Sequence, residues 1–356
     1  LYTSAVILCQ IVAGVSLFYG VVNWARSDER IWLATALPPL IGLILAIVAP
    51  SVTRWEANKL FAWPELYQSF TLLWPEEAVN PNVLAGALIL LLPLVVALLS
   101  SNLSPLTQGE KRLARLLLAL TLIVMLAAVA LTQSRGAYLA LAIGLVIFGS
   151  LRCRWFLSAI PILFLEVIAL LRRFGIQPMA DFVLNNATLG GVAGRLEIWS
   201  GAVYMLRDFP YTGIGLGTFG RMAYAHPYFT LSRPDATVSH AHNLFLQIGV
   251  DLGLPGLLAY IVLLVTASNA AWQAYRTFGR SGRSDLAALA AGLLASIVVL
   301  VVHGLTDAVT WGTKPAIIPW LIMGLAAALH HRAREGTRPY ARAFFGTDEH
   351  TYGRLL

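Results

Sequence analysis

Apolar runs of about 17–25 residues with almost no charge alternate with short polar connections along most of the chain. The runs are continuous and lack the in-out alternation of barrel strands, so they predict membrane-spanning α-helices. About nine spans follow, near 3–23, 31–49, 82–100, 113–132, 136–151, 155–171, 254–271, 286–304 and 315–330. The expected fold class is all-α and polytopic. A single integral membrane domain covers 1–356, with a large connection at 172–253 carrying short interfacial helices and a basic tail at 331–356.

Composition agrees with this pattern. The chain is 58% hydrophobic and 12% charged, against about 25% charged in soluble domains. Its net charge of +7 gives no case for nucleic acid, because loop lysines and arginines that orient the spans account for it. Cys9 and Cys153 lie in or beside different spans, so neither a disulfide framework nor a metal site is indicated.

The basic residues fall into a pattern of sides. Arg26 and Arg30, then Lys111, Arg112 and Arg115, then Arg152 and Arg154, then Arg276, Arg280 and Arg283, and finally the tail all lie on one face. The positive-inside rule makes that face cytoplasmic. The outer face receives the connection 50–81, the turn at Arg135, the connection 172–253 and the short turn around Lys314. The long connection also holds Arg172, Arg173, Arg195, Arg207, Arg221 and Arg233, and long loops are exempt from the charge rule. These arginines serve either solubility and headgroup contact or an anion site, since guanidinium forks suit phosphate oxygens.

The densest chemistry lies in SHAHNLFLQIGVDLGLPG, residues 239–256. A helix running from His242 to Trp272 would be about 45 Å long, more than one span needs. Gly253-Leu254-Pro255-Gly256 offers a break, which predicts a short outer helix over 242–252 and a span starting near Pro255. On the short helix Asn243, Gln247 and Asp251 form one polar stripe, with His242, Leu246, Gly249 and Gly253 beside it. His242 is expected in the first turn. There it either accepts a proton from an incoming hydroxyl or caps the helix and touches headgroups. A helix start would separate His240 and His242 by about 200°, so no metal is expected.

Other stretches carry weaker signals. GLGTFG (215–220) matches a dinucleotide fingerprint, but no βαβ unit surrounds it, so it reads as a flexible outer loop. In GRLEIWSGAVYMLRDFP (194–210), Leu196, Trp199, Val203 and Leu206 have helical spacing and suggest a half-buried helix on the membrane, with Arg195 at its start. Arg135 and Asp307 at span ends are either anchors or functional groups, and Glu166 is a polar oddity within a span. Asn186-Ala187-Thr188 reads as a sequon of the kind that arises by chance.

Four stretches together resemble the O-antigen ligase family, within a wider group that includes O-antigen polymerases and bacterial oligosaccharyltransferases. They are NPNVLAG (80–86), SRGAYLALAIG (134–144), residues 194–220, and His242-Asn243 followed after nine residues by Gly253-x-x-Gly256. The likeness runs from about residue 80 to about residue 310. It implies an inner-membrane enzyme with its site facing the periplasm or cell exterior. Such an enzyme moves a glycan from a polyprenyl (undecaprenyl) pyrophosphate carrier to an acceptor hydroxyl, with inversion and with neither metal nor other cofactor. In ligases the acceptor is lipid A–core; in the alternatives it is a second carrier-linked repeat or a protein. By the same resemblance Arg135 and Arg195 engage the pyrophosphate and His242 activates the hydroxyl. Arg207, Arg221, Asn243 and Gln247 are candidates for further substrate contact. A complete ligase is expected to have more spans, which points either to an N-terminal part before Leu1 or to a shorter relative of the family. Two non-enzyme classes stand beside this one: a transporter of the bicarbonate-carrier kind, and a non-catalytic partner in polysaccharide assembly.

Overall fold

The computed structural model describes residues 2–55, 64–158, 192–225 and 238–335, with Pro161, Leu165, Ala169, Arg172 and Tyr228 between them. Its helices are α1 (Tyr2–Trp24), α2 (Asp28–Thr35), α3 (Leu37–Val52), α4 (Pro64–Gln68), α5 (Pro81–Ser100), α6 (Gln108–Thr132) and α7 (Arg135–Arg152). After these come α8 (Val192–Asp208), α9 (Phe219–Ala225), α10 (Leu244–Arg280), α11 (Ser284–Gly304) and α12 (Ile318–Glu335). Eight segments among the described residues are long and apolar enough to cross a membrane, and each coincides with an expected span. The expected span at 155–171 opens with one 3-10 turn, Arg154–Ser158, and apart from Pro161, Leu165 and Ala169 its remainder lies outside the described residues. So do Glu166, Arg173, Asn186–Thr188, Arg233 and the tail beyond Glu335.

Helices α5 and α11 form the centre. They are apolar all round and buried along most of their length, as expected of helices with no solvent face. Helix α11 packs on α5, α7 and α10; α5 also contacts α3 and α6, and α12 joins α1 to α10. The second span is built from two helices, α2 capped by the Ser27 side chain and α3 opened by Pro38 and Pro39. The fourth and fifth spans are separate helices. Gln133 ends α6 in a left-handed conformation, and Arg135 starts α7.

The basic connections converge on one end of the bundle. Asp28, at the α1–α2 turn, receives Arg283 at 2.8 Å and Arg332 at 2.7 Å. Ser104 bonds Asp285, and Arg152 reaches the Ser284 carbonyl at 3.3 Å. At the opposite end Lys314 pairs with Glu77 at 2.9 Å, the Tyr67 hydroxyl donates to the Leu131 carbonyl at 2.9 Å, and Ser4 donates to the Leu216 carbonyl at 2.7 Å. The charge-based grouping of the connections thus matches the two ends of the molecule.

Helix α10 breaks where the sequence predicts. Gly253 has φ 71° and ψ −177°, a conformation open essentially to glycine alone. The break and Pro255 strand the carbonyls of Val250 and Asp251, which accept instead from the amides of Ile214 (2.8 Å) and Gly215 (3.2 Å). The Leu254 amide turns to the Pro210 carbonyl at 2.7 Å. The segment expected as a flexible loop, YTGIGLGTFG, is therefore a strap whose backbone completes the broken helix.

Helix α8 turns one of its faces into the protein. Leu196 and Val203 are exposed, and the face packed into the protein carries Ile198, Ala202 and Met205. They form a second apolar cluster with Phe219, Val238, Ala241 and Val250. Both faces of α8 are apolar, so helical spacing alone does not choose between them.

Candidate functional site

At the end of the bundle opposite the basic connections, the break in α10, the start of α8 and the turn after α11 meet. Asn243 caps α10, its side chain accepting from the amides of Phe245 (3.0 Å) and Leu246 (3.1 Å). Its amide nitrogen donates to the Leu305 carbonyl at 3.1 Å, which ties the start of α10 to the end of α11. His242 thus stands just before the cap, where the sequence had suggested the first turn. Its φ of 46° is left-handed, a region that histidine enters more often than most residues but at a cost in strain. The conformation is held from both sides. The His242 amide donates to His240 Nδ1 at 3.2 Å, and Trp199 Nε1 on α8 donates to the His242 carbonyl at 3.4 Å.

Left-handed backbone turns the two imidazoles toward each other. Their ring centroids lie 4.1 Å apart, and both rings face Asp307. Nδ1 of His242 is 3.3 Å from Asp307 Oδ1, and Nδ1 of His240 is 4.0 Å from the same oxygen. The expected divergence of the H-x-H pair does not occur, because neither residue is in the helix.

Asp307 is only 4% exposed, and its Oδ1 also accepts from the Ala308 amide at 2.8 Å. Burial opposes ionisation of Asp307, but the hydrogen bond from His242 and the imidazoles packed around it outweigh it. Its carboxyl is held well below the usual carboxylate range. An ionised carboxylate can only accept, so Nδ1 of His242 is the donor, and in the neutral ring Nε2 carries the lone pair. His240 keeps 29% of its side chain exposed. Burial still pushes it down to about 4, helped by His242 and partly offset by Asp307, so it is neutral at ordinary pH. Its Nδ1 accepts from the His242 amide, which places its proton on Nε2.

Close packing brings the remaining groups near. A Cβ on Gly136 would fall 2.5 Å from Thr306 Oγ1, and one on Gly86 would fall 3.0 Å from His303 Cε1. Helices α5 and α7 therefore press against the end of α11, and Arg135 is seated one residue from that contact. Arg195 lies near enough for its charge to act on His240. Its Nε is buried and makes no hydrogen bond among the described residues, which calls for an explanation. Arg207 and Arg221 are exposed on α8 and α9, and among the described residues no contact ties them to the histidine cluster. Gln247 is 4% exposed. Its oxygen accepts from the Ala241 amide at 2.7 Å, and its nitrogen donates to Asp251 Oδ1 at 3.0 Å. Asp251 in turn accepts from Trp311 Nε1 at 2.9 Å. This part of the polar stripe faces inward and braces the loop that carries the histidines.

Three members of the cluster were not assigned from sequence: His303 and Trp199 as packing and hydrogen-bonding neighbours, and Asp307 as the partner of His242. The signal was the HGLTDAVTW stretch, with a histidine and an acid four residues apart at a span end.

No curated protein matches the chain. The family model described as O-Antigen ligase matches residues 120–261, and this stretch, from within α6 through the break in α10, holds Arg135, Arg195 and His242 together.

Proposed function

We propose that this protein is a membrane glycosyltransferase that moves a glycan from a polyprenyl pyrophosphate carrier to an acceptor hydroxyl. The observation that carries the reading is the His242–Asp307 pair beside Arg195, within and adjoining the segment that matches O-antigen ligase. Nε2 of His242 accepts the proton of the acceptor hydroxyl as its oxygen attacks the anomeric carbon. The bond from that carbon to the pyrophosphate oxygen breaks, and the leaving group keeps the electron pair. Inversion follows from attack opposite the leaving group. Asp307 fixes the ring and stabilises the imidazolium that forms.

Pyrophosphate departure places negative charge near the arginines. The guanidinium groups of Arg195 and Arg135 supply donors to it without requiring a metal. The buried Nε of Arg195 supports this role, because an incoming phosphate oxygen would give it a partner. Asn243 and Gln247 act by holding the loop; Arg207 and Arg221 remain candidates for contact with the rest of the donor. The basic end faces the cytoplasm and the histidine end faces the periplasm or cell exterior, at the inner membrane. Lipid A–core is the first acceptor, with a carrier-linked repeat or a protein as the alternatives.

The test is transfer in reconstituted vesicles supplied with polyprenyl-pyrophosphate-linked glycan and lipid A–core, with and without chelator. Chelator-resistant transfer lost in His242→Ala supports the reading. Transfer that survives the substitution reduces His242 to a structural residue. No transfer to any of the three acceptor classes would remove the enzyme reading in favour of the transporter.

A further inference from the structure

His240, His242 and Asp307 offer one ligand atom each, and the three atoms lie within 4.8 Å of one another. We propose that they form an inhibitory site for a zinc-class divalent cation, which switches the site off by changing which nitrogen of His242 carries the proton. This rests on the reading of His242 as the base.

The geometry fits such an ion. A tetrahedral zinc with nitrogen and oxygen ligands at about 2.0–2.2 Å sets its ligand atoms about 3.3–3.5 Å apart. Nδ1 of His242 and Oδ1 of Asp307 are separated by 3.3 Å, and Nδ1 of His240 is 4.0 Å from the same oxygen. The first separation is long for a charge-assisted hydrogen bond but suits an edge of that tetrahedron, and the second needs a shift of under about 1 Å to do so. Two imidazoles and one carboxylate are a borderline-soft donor set, the kind that selects zinc over calcium or magnesium. Three protein ligands leave a fourth position for water, and the half-exposed histidines, at 29% and 24%, leave an entry path.

The ligand nitrogens decide the outcome. His240 already presents a lone pair at Nδ1, and needs only to release the His242 amide. His242 carries its proton on Nδ1, so metal binding there moves that proton to Nε2, with no net release. Nε2 then becomes a donor and cannot accept the proton of an acceptor hydroxyl. The Arg195 charge near His240 opposes a cation and makes binding weak and reversible, which suits an inhibitor better than a resident cofactor.

The experiment titrates purified full-length protein with Co²⁺, read by the visible d–d bands of a tetrahedral site, and in parallel measures transfer against added Zn²⁺. Wild type is expected to bind one Co²⁺ and to lose transfer with Zn²⁺, with recovery on adding chelator. His240→Asn should bind Co²⁺ at least about tenfold more weakly, and the share of its own metal-free transfer rate that Zn²⁺ removes should fall to a matching degree. An X-ray absorption spectrum of Zn²⁺-loaded wild type should show two imidazoles and no sulfur, which tests the site even if the variant does not fold. Absence of Co²⁺ binding up to about 1 mM, a sulfur shell, or undiminished binding by folded His240→Asn would overturn the proposal. Metal binding at this site in a protein that transfers no glycan would uphold the site and sink the function, so the two failures are distinct.

Discussion

Nδ1 of His242 lies 3.3 Å from Oδ1 of Asp307, a residue 65 positions further along the chain. One comes from the connection before α10 and the other from the turn after α11. The pair therefore exists only when these two helices are docked, which makes it a point at which fold and chemistry can be tested together.

Asp307→Asn should lower transfer by about 10²–10⁴, the range for loss of general-base function. An amide in place of the carboxylate neither fixes the tautomer nor stabilises the imidazolium. Because the two residues act as one unit, the double variant with His242→Ala should be little slower than the single His242→Ala. Initial rates in vesicles measure this; multiplying losses would show that the residues act separately.

Arg195→Lys keeps the charge but loses the fork. Transfer should fall by about 10², whereas Arg152→Ala at the other end of the bundle should change it little. Comparable losses from both would point to a diffuse effect of positive charge and not to a pyrophosphate contact.

Gly253→Ala should destabilise the protein by about 1–3 kcal/mol from backbone strain alone. The added Cβ would also sit 2.7 Å from the Tyr211 carbonyl carbon and oxygen. Since the Leu254 amide depends on the Pro210 carbonyl, the substitution should speed hydrogen exchange at Leu254, Ile214 and Gly215 together. Thermal unfolding in micelles and exchange by mass spectrometry provide the readouts. A wild-type transition with unchanged exchange would mean that the strap does not hold the break.

Sidedness can be read by cysteine labelling after Cys9 and Cys153 are replaced by Ser. A cysteine at Lys314 should react with an impermeant maleimide on intact spheroplasts. A cysteine at Arg283, which pairs with Asp28 at the basic end, should react only after permeabilisation. The reverse pattern would invert the assigned orientation and place the histidines on the cytoplasmic side.

The spans, their order and the grouping of basic connections were legible in the sequence, because apolar length and loop charge act locally and need no knowledge of neighbours. The break at Gly253 was legible for the same reason: only certain residues tolerate that backbone. The buried face of α8 was not, since both of its faces are apolar and only docking against α10 selects one. The convergence of His240 and His242 depended on a left-handed residue held by Trp199 and by the ring of His240 itself. Spacing along an assumed helix pointed the other way. Residue types alone determined that this chain crosses a membrane repeatedly and carries imidazole and guanidinium groups toward one end. Tertiary structure decided that Asp307, and not a stripe neighbour on α10, is the partner of His242, because a buried carboxylate is held ionised only by groups that packing brings around it.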